Sequence, residues 1–154
     1  MRDDLVVFLC ELSRGYVQRM MLRAHHLICL LGFRGLGYSP EFLQDMTKIV
    51  FKLLSCPETL IEIVDGPDDI CTPCPFLEDG GCREEGPQSE ETVKKRDRAV
   101  MVRLGLISGD KVTWSAVEQR IRTSISPQDL EKICRACKWL PLGYCVAGLE
   151  RLRG

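Results

Sequence analysis

Apolar and polar positions along this chain recur mostly at helical spacing. Phe42, Met46, Ile49, Val50 and Leu53 fall three and four residues apart, which places them on one face of a helix. Ser39-Pro40-Glu41 supplies its start, with a hydroxyl cap, a proline in the first turn and an acid near the positive end of the dipole. That helix ends near Ser55, ahead of Pro57. A second helix is predicted from Ser89, read as its cap, to about Leu104, with Val93, Val100 and Leu104 inward and Gly105 just past its end. Thr113 and Ser126-Pro127 open two shorter helices, and Gly143 to Leu152 closes the chain in another. The run Leu22 to Phe33, LRAHHLICLLGF, reads as a buried helix ended by the flexible loop GFRGLG. Only Leu60-Ile61-Glu62-Ile63-Val64 has the β-branched character of a strand, and Asp65 to Asp69 follows as a turn. Residues 71–88 should be irregular. The expected fold is mostly α with a minor β element: a small single-domain helical protein with two cysteine-rich metal knuckles.

Residues 1–20 read as a separate piece. Leu5, Phe8, Leu9 and Leu12 suit a short amphipathic helix, and the Met20-Met21 pair precedes a much stronger segment. Two readings stay open, an N-terminal extension lying outside the native start, with residues 21–154 as the metal-binding domain, or an ordinary N-terminal helix. The opening Met1-Arg2-Asp3-Asp4 carries acid where a signal peptide wants base, and no stretch approaches the roughly 18 apolar residues of a membrane span. No membrane partner is therefore expected. A formal net charge of -1 lacks the basic excess of a nucleic-acid footprint.

The nine cysteines change the picture. Their odd count and ligand-like spacing argue against a secreted disulfide scaffold and for a reducing, cytoplasmic setting. Two groups align in register. Ile70-Cys71-Thr72-Pro73-Cys74-Pro75-Phe76-Leu77 runs on to Gly80 and Cys82; Ile133-Cys134-Arg135-Ala136-Cys137-Lys138-Trp139-Leu140 runs on to Gly143 and Cys145. Both fit I-C-x2-C-x-(F/W)-L-x2-G-x-C, which reads as an internal duplication. A Cys-x2-Cys turn brings two thiolates to one metal or cluster, and a third cysteine after a seven-residue loop closes another side. Phe76 and Trp139 can screen such a site from water.

Each triplet is one donor short of the usual four. The best further donors lie in His25-His26-Leu27-Ile28-Cys29, where either histidine shares a helical face with Cys29. The candidate ligands are thus Cys71, Cys74, Cys82, Cys134, Cys137, Cys145, Cys29, His25 and His26. Residue chemistry alone leaves one or two iron–sulfur clusters and zinc evenly matched.

The segments LRAHHLICLLGFRGLGYSPEF, IEIVDGPDDICTPCP, RDRAVMVRLGL and CRACKWLPLGYCVAGL resemble a family of small bacterial and archaeal proteins catalogued as domain of unknown function 1284. The resemblance spans about residues 21–152. It implies iron–sulfur binding at the six knuckle cysteines and the His25-His26…Cys29 segment, carries no activity, and does not reach Cys10.

Other residues have plainer readings. Arg34, among glycines, is a weak candidate for binding an anion at the next helix's start, against an ordinary loop ion pair. Asp65, Asp68 and Asp69 are explained by turn chemistry. Lys94-Lys95-Arg96 after Glu90-Glu91 reads as a solvated helix face. Cys56 reads as structural, Cys10 as incidental and Trp114 as core. Three functions remain in play: a redox or sensing cluster protein with an unidentified redox or protein partner, a zinc-stapled binding module, and an enzyme using an open metal position with His25 or His26 as acid or base.

Overall fold

The computed structural model describes Asp4, Leu5, Phe8, Cys10 and residues 20–154. The expected amphipathic pattern over residues 1–20 lies, apart from those four positions and Met20, outside the described residues. The architecture is mostly helical with a small sheet. In chain order it comprises β1 (Met20–Arg23), α1 (His26–Leu31), α2 (Pro40–Ser55), β2 (Leu60–Val64), β3 (Leu77–Glu78), β4 (Gly81–Cys82), α3 (Ser89–Leu104), β5 (Lys111–Thr113), α4 (Trp114–Ser124), α5 (Pro127–Ile133), a 3-10 turn (Leu140–Leu142) and α6 (Tyr144–Arg153). Among the described residues, no helix is long and apolar enough to cross a membrane.

Helix starts follow the local chemistry. Ser39 Oγ accepts from Phe42 N at 3.1 Å, Thr113 Oγ1 accepts from Ala116 N at 3.2 Å, and Ser126 with Asp129 forms a reciprocal capping box. Gly105 ends α3 in the left-handed region at φ 66°, where a side chain would be strained. Ser89 is different. It begins α3 but does not cap it, because its hydroxyl is engaged in the cysteine region described below.

The sheet corrects the reading of Leu22 to Phe33 as one helix. Met20–Arg23 is a strand pairing parallel to β2, with Met20 opposite Ile61 and Leu22 opposite Ile63. Its run is too uniformly apolar for periodicity to separate a buried strand from a buried helix, so the non-local pairing decides. β2 is central; β5 pairs antiparallel on its other edge through Ile61–Val112. Ile61 and Ile63 are fully buried, as are Leu22, Val100, Val117, Ile121 and Leu130 from the surrounding elements. Trp114 is core, as expected.

Cys10 is not incidental. It forms a disulfide with Cys56, which corrects the expectation that the cysteines avoid such bonds. The seven others are free thiols: the six knuckle cysteines and Cys29.

Candidate metal centre

The first knuckle is organised by Asp68. Its Oδ1 accepts from Cys71 N at 3.0 Å, and Cys74 N donates to Cys71 O at 2.9 Å. The chain then turns back as a two-residue hairpin: Leu77 pairs with Cys82, and Asp79 and Gly80 between them have φ of 50° and 72°. Cys82 is held by α3, since Ser89 Oγ donates to its Sγ at 3.6 Å while accepting from Glu85 N at 3.1 Å. That is where the hydroxyl expected to cap α3 has gone.

The second knuckle starts alike and finishes differently. Cys137 N donates to Cys134 O at 2.8 Å and Leu140 N to Cys137 O at 3.2 Å, matching Leu77 N to Cys74 O at 3.1 Å in the first. Gly143, at φ 77°, matches Gly80. In place of a hairpin, a 3-10 turn leads into α6, whose first turn carries Cys145. Burial, with Cys137, pushes this thiol up, against the favourable pull that the helix's positive end exerts on a thiolate.

The six-residue helix α1 lies between the knuckles. At its start His26 Nδ1 bonds Asp68 Oδ2 at 2.8 Å, and the ligand atoms of His26, Asp68 and Cys71 lie within 4.8 Å of one another. At its end α1 is pressed against α6. A Cβ on Gly32 would stand 2.7 Å from Cys145 N, and one on Gly148 would collide with the Leu31 carbonyl. Cys29, between these ends, senses the second knuckle: burial pushes its thiol well up, and Cys145, Cys137 and Cys134 push it further. Cys134 is pushed up to about 11, chiefly by burial.

Both histidines are fixed through Nδ1 by buried carboxylates. His25 Nδ1 bonds Asp97 Oδ1 at 2.7 Å, as His26 Nδ1 bonds Asp68. Burial would raise both carboxyls, but neighbouring histidine and hydrogen bonds outweigh it: Asp68 is held near 2 and Asp97 below the usual carboxylate range. An ionised carboxylate only accepts, so each Nδ1 donates and Nε2 is the atom each ring can offer elsewhere. Burial, with the charge of His26, lowers His25 to about 4. Its ring is therefore neutral near pH 7, with an unprotonated Nε2. Arg23 completes the network, donating from Nε to Asp97 Oδ2 at 2.8 Å and from NH1 and NH2 to Glu90 at 3.2 and 3.1 Å. Asp68 itself is a poor metal ligand, because Oδ2 also accepts from Arg23 N at 2.7 Å and Oδ1 is taken by Cys71 N.

These parts enclose one cavity of about 150 Å³. Both histidines line it, and so do Cys29, Cys71, Cys74, Cys82, Cys137 and Cys145. Over it, Tyr38 from the GFRGLGYS loop packs edge-on against Phe76 (ring centroids 4.9 Å) and Trp139 (5.5 Å), the two aromatics that occupy the same place in the repeat. Lys138 lies 4.9 Å from the Tyr38 ring centroid and pairs with Glu84 at 2.6 Å. Arg34 is exposed, with its guanidinium 5.8 Å from the Tyr144 ring at the start of α6.

Three contributors were misread or missed in the sequence. Asp68 reads as turn chemistry and does make a turn, but it also fixes His26. Asp97 gave no signal, because a single acid in a charge-rich helix looks solvated. The Lys94-Lys95-Arg96 face is not all solvated either: Arg96 is 8% exposed and lines the cavity.

A family model described as a protein of unknown function (DUF1284) matches residues 37–143. The match takes in the first knuckle and most of the second, and stops short of the His25-His26…Cys29 segment and Cys145. No curated protein and no solved structure matches the chain.

Proposed function

Starting from this chain's membership of the DUF1284 family, we propose that it is a metal-binding protein built to hold iron–sulfur clusters in a redox or sensing role. Cys29, Cys134, Cys137 and Cys145 form one four-thiolate set. Cys71, Cys74 and Cys82 form a second set, with His26 Nε2 as its nearest further donor.

The observation that carries this reading is the placement of α1. Gly32 and Gly148 let it lie against α6, which brings Cys29 to the second triplet, while the His26–Asp68 bond ties its other end to the first. Among the described residues the sulfurs are not drawn to single-ion spacing. Thiolates on one tetrahedral zinc, each at 2.3 Å, stand about 3.8 Å apart; those on a cubane sit on different irons and stand farther apart. Among the described residues no cysteine triplet lies within 4.8 Å; the group that does is His26, Asp68 and Cys71. A second reading is a single ion such as zinc at the first knuckle, held by its cysteines and His26 Nε2, with Asp68 orienting the histidine and not binding the ion.

A bound cluster would accept and pass single electrons. The chain's own residues do the rest. Tyr38, Phe76 and Trp139 exclude water, the backbone amides of Phe76 and Leu77 face the Cys74 sulfur, and His25 holds its Nδ1 proton against Asp97 beside the cavity.

The test is purification without oxygen, followed by iron, zinc and acid-labile sulfide analysis. Brown protein with iron and sulfide in equal amounts is expected. Cys29→Ser should remove one centre and Cys71→Ser the other. Colourless protein with stoichiometric zinc at both knuckles would overturn the cluster reading.

A further inference from the structure

Arg96 sits on α3 with 8% of its surface exposed and lines the cavity between the knuckles. A guanidinium keeps its proton, so this charge is permanent. Its donors are unspent. Nε is buried without a hydrogen-bond partner, and among the described residues no carboxylate, carbonyl or cysteine sulfur accepts from any of its nitrogens. A buried ion in this state is strongly disfavoured unless an opposite charge reaches it.

The protein's own acids do not serve it. On the cavity wall, Glu84 is paired with Lys138 at 2.6 Å and Glu85 is exposed. Behind the wall, Arg23 holds Asp97 and Glu90, and His26 holds Asp68. Cysteines of both groups line the same cavity, so its geometry singles out no thiol as a partner for Arg96.

Much of the remaining wall is apolar. Phe42, Met46, Ile70 and Val93 line it and are buried, while Arg34 and Leu36 line it and are exposed, which marks its mouth. Its volume of about 150 Å³ is that of an apolar cavity able to admit a molecule the size of benzene. An open, mainly apolar space with one unspent guanidinium is complementary to a small molecule with one anionic end. The planar fork of arginine matches a carboxylate through two parallel hydrogen bonds. An inorganic oxyanion would meet the charge and leave the apolar side chains uncovered.

We propose that this cavity binds a small organic monocarboxylate, its carboxylate held by Arg96 and its short apolar body lying against Phe42, Met46, Ile70 and Val93. Metal ligation draws on the sulfurs and carboxylate binding on these other residues, so the site goes beyond the metal reading and does not rest on which metal the cysteines hold.

The experiment is calorimetric titration of acetate, butyrate and benzoate into protein purified without oxygen, with butyramide and benzamide as uncharged counterparts. One saturable site per chain is expected. Each amide should bind about tenfold or more weakly than its acid, the worth of hydrogen bonds to a charged group. Acetate should bind about tenfold more weakly than butyrate, which buries two further methylenes. Arg96→Met should weaken butyrate by about tenfold or more and leave butyramide unchanged, while Arg34→Met, at the mouth, should leave both near wild type. No saturable binding, acids and amides that bind equally, or Arg96→Met that binds butyrate as wild type does would each overturn the proposal. So would wild type that binds no carboxylate together with Arg96→Met that loses metal, which would give Arg96 to the thiolates. If Arg96→Met does not fold, the comparison of acid with amide in wild type decides alone. Iron, zinc and sulfide content of the same samples reports separately on the metal reading.

Discussion

Trp139 Nε1 donates a hydrogen bond of 2.6 Å to Tyr38 Oη, across 101 residues of sequence. Tyr38 touches Phe76 on its other side, so one ring from the glycine-rich loop joins the corresponding aromatics of both knuckles. The bond matters because Tyr38 is partly buried: burial pushes its hydroxyl well above the ordinary phenol range, and it stays protonated.

Tyr38→Phe should cost about 1 kcal/mol, the worth of one net hydrogen bond, and leave metal content unchanged. Tyr38→Ala opens the contact between the knuckles and should cost about 3 kcal/mol. Urea unfolding measures both. Loss of bound metal in air should be faster for the alanine variant and near wild type for the phenylalanine one.

Gly148→Ala tests the contact between α1 and α6. The added methyl meets the Leu31 carbonyl, a backbone atom that cannot swing aside. The expected destabilisation is about 2 kcal/mol or more. Metal analysis should show the centre containing Cys29 depleted and the first knuckle still loaded. A variant with full metal content and an unchanged Tm would refute this account of how Cys29 is placed.

Acid should weaken the metal-free fold in two stages. His25 has a folded pKa of about 4 against roughly 6.5 in the unfolded chain. A depressed histidine means that the unfolded state binds the extra proton, so its contribution is complete above about 6.5 and lost as pH falls towards the folded value. Asp68, held near 2, and Asp97, also depressed, stabilise above the ordinary carboxylate range and lose that contribution on further acidification. Denaturant midpoints across this range should fall twice. His25→Gln should flatten the upper stage and shrink the Asp97 part of the lower one, sparing only the part that Asp68 contributes.

Reducing the Cys10–Cys56 disulfide opens a loop with a sequence separation of 46. The chain-entropy account gives a loss of up to about 4 kcal/mol. Cys56→Ser should reproduce that loss in a thermal melt with no change in metal stoichiometry. A parallel fall in metal content would show that these two cysteines also serve the centre.

Sequence legibility followed the range of the interactions. Ser39, Thr113 and Ser126 mark helix starts because a cap bonds within three residues. The two cysteine groups are legible because their spacing is local and occurs twice. Leu22 and Arg23 read as the start of a helix because their strand partners, Ile63 and Val64, lie some forty residues away. Arg96 and Asp97 looked like surface charge because their burial depends on where α3 packs, which no window of neighbours records. Tyr38 carried no signal in its glycine-rich loop, since its meaning comes from the two rings it meets. Cys10 reads as incidental for the same reason, its partner being 46 residues away.

On the proposed assignment, His26 serves one centre and Cys29 the other, three residues along a single short helix. An α-helix rises 1.5 Å per residue, so about 4.5 Å of one rigid rod separates the two attachment points. Occupancy at either end thus fixes the rod for both. The first metal bound covers part of the ordering cost of the second, so emptying one centre should weaken the other without abolishing it.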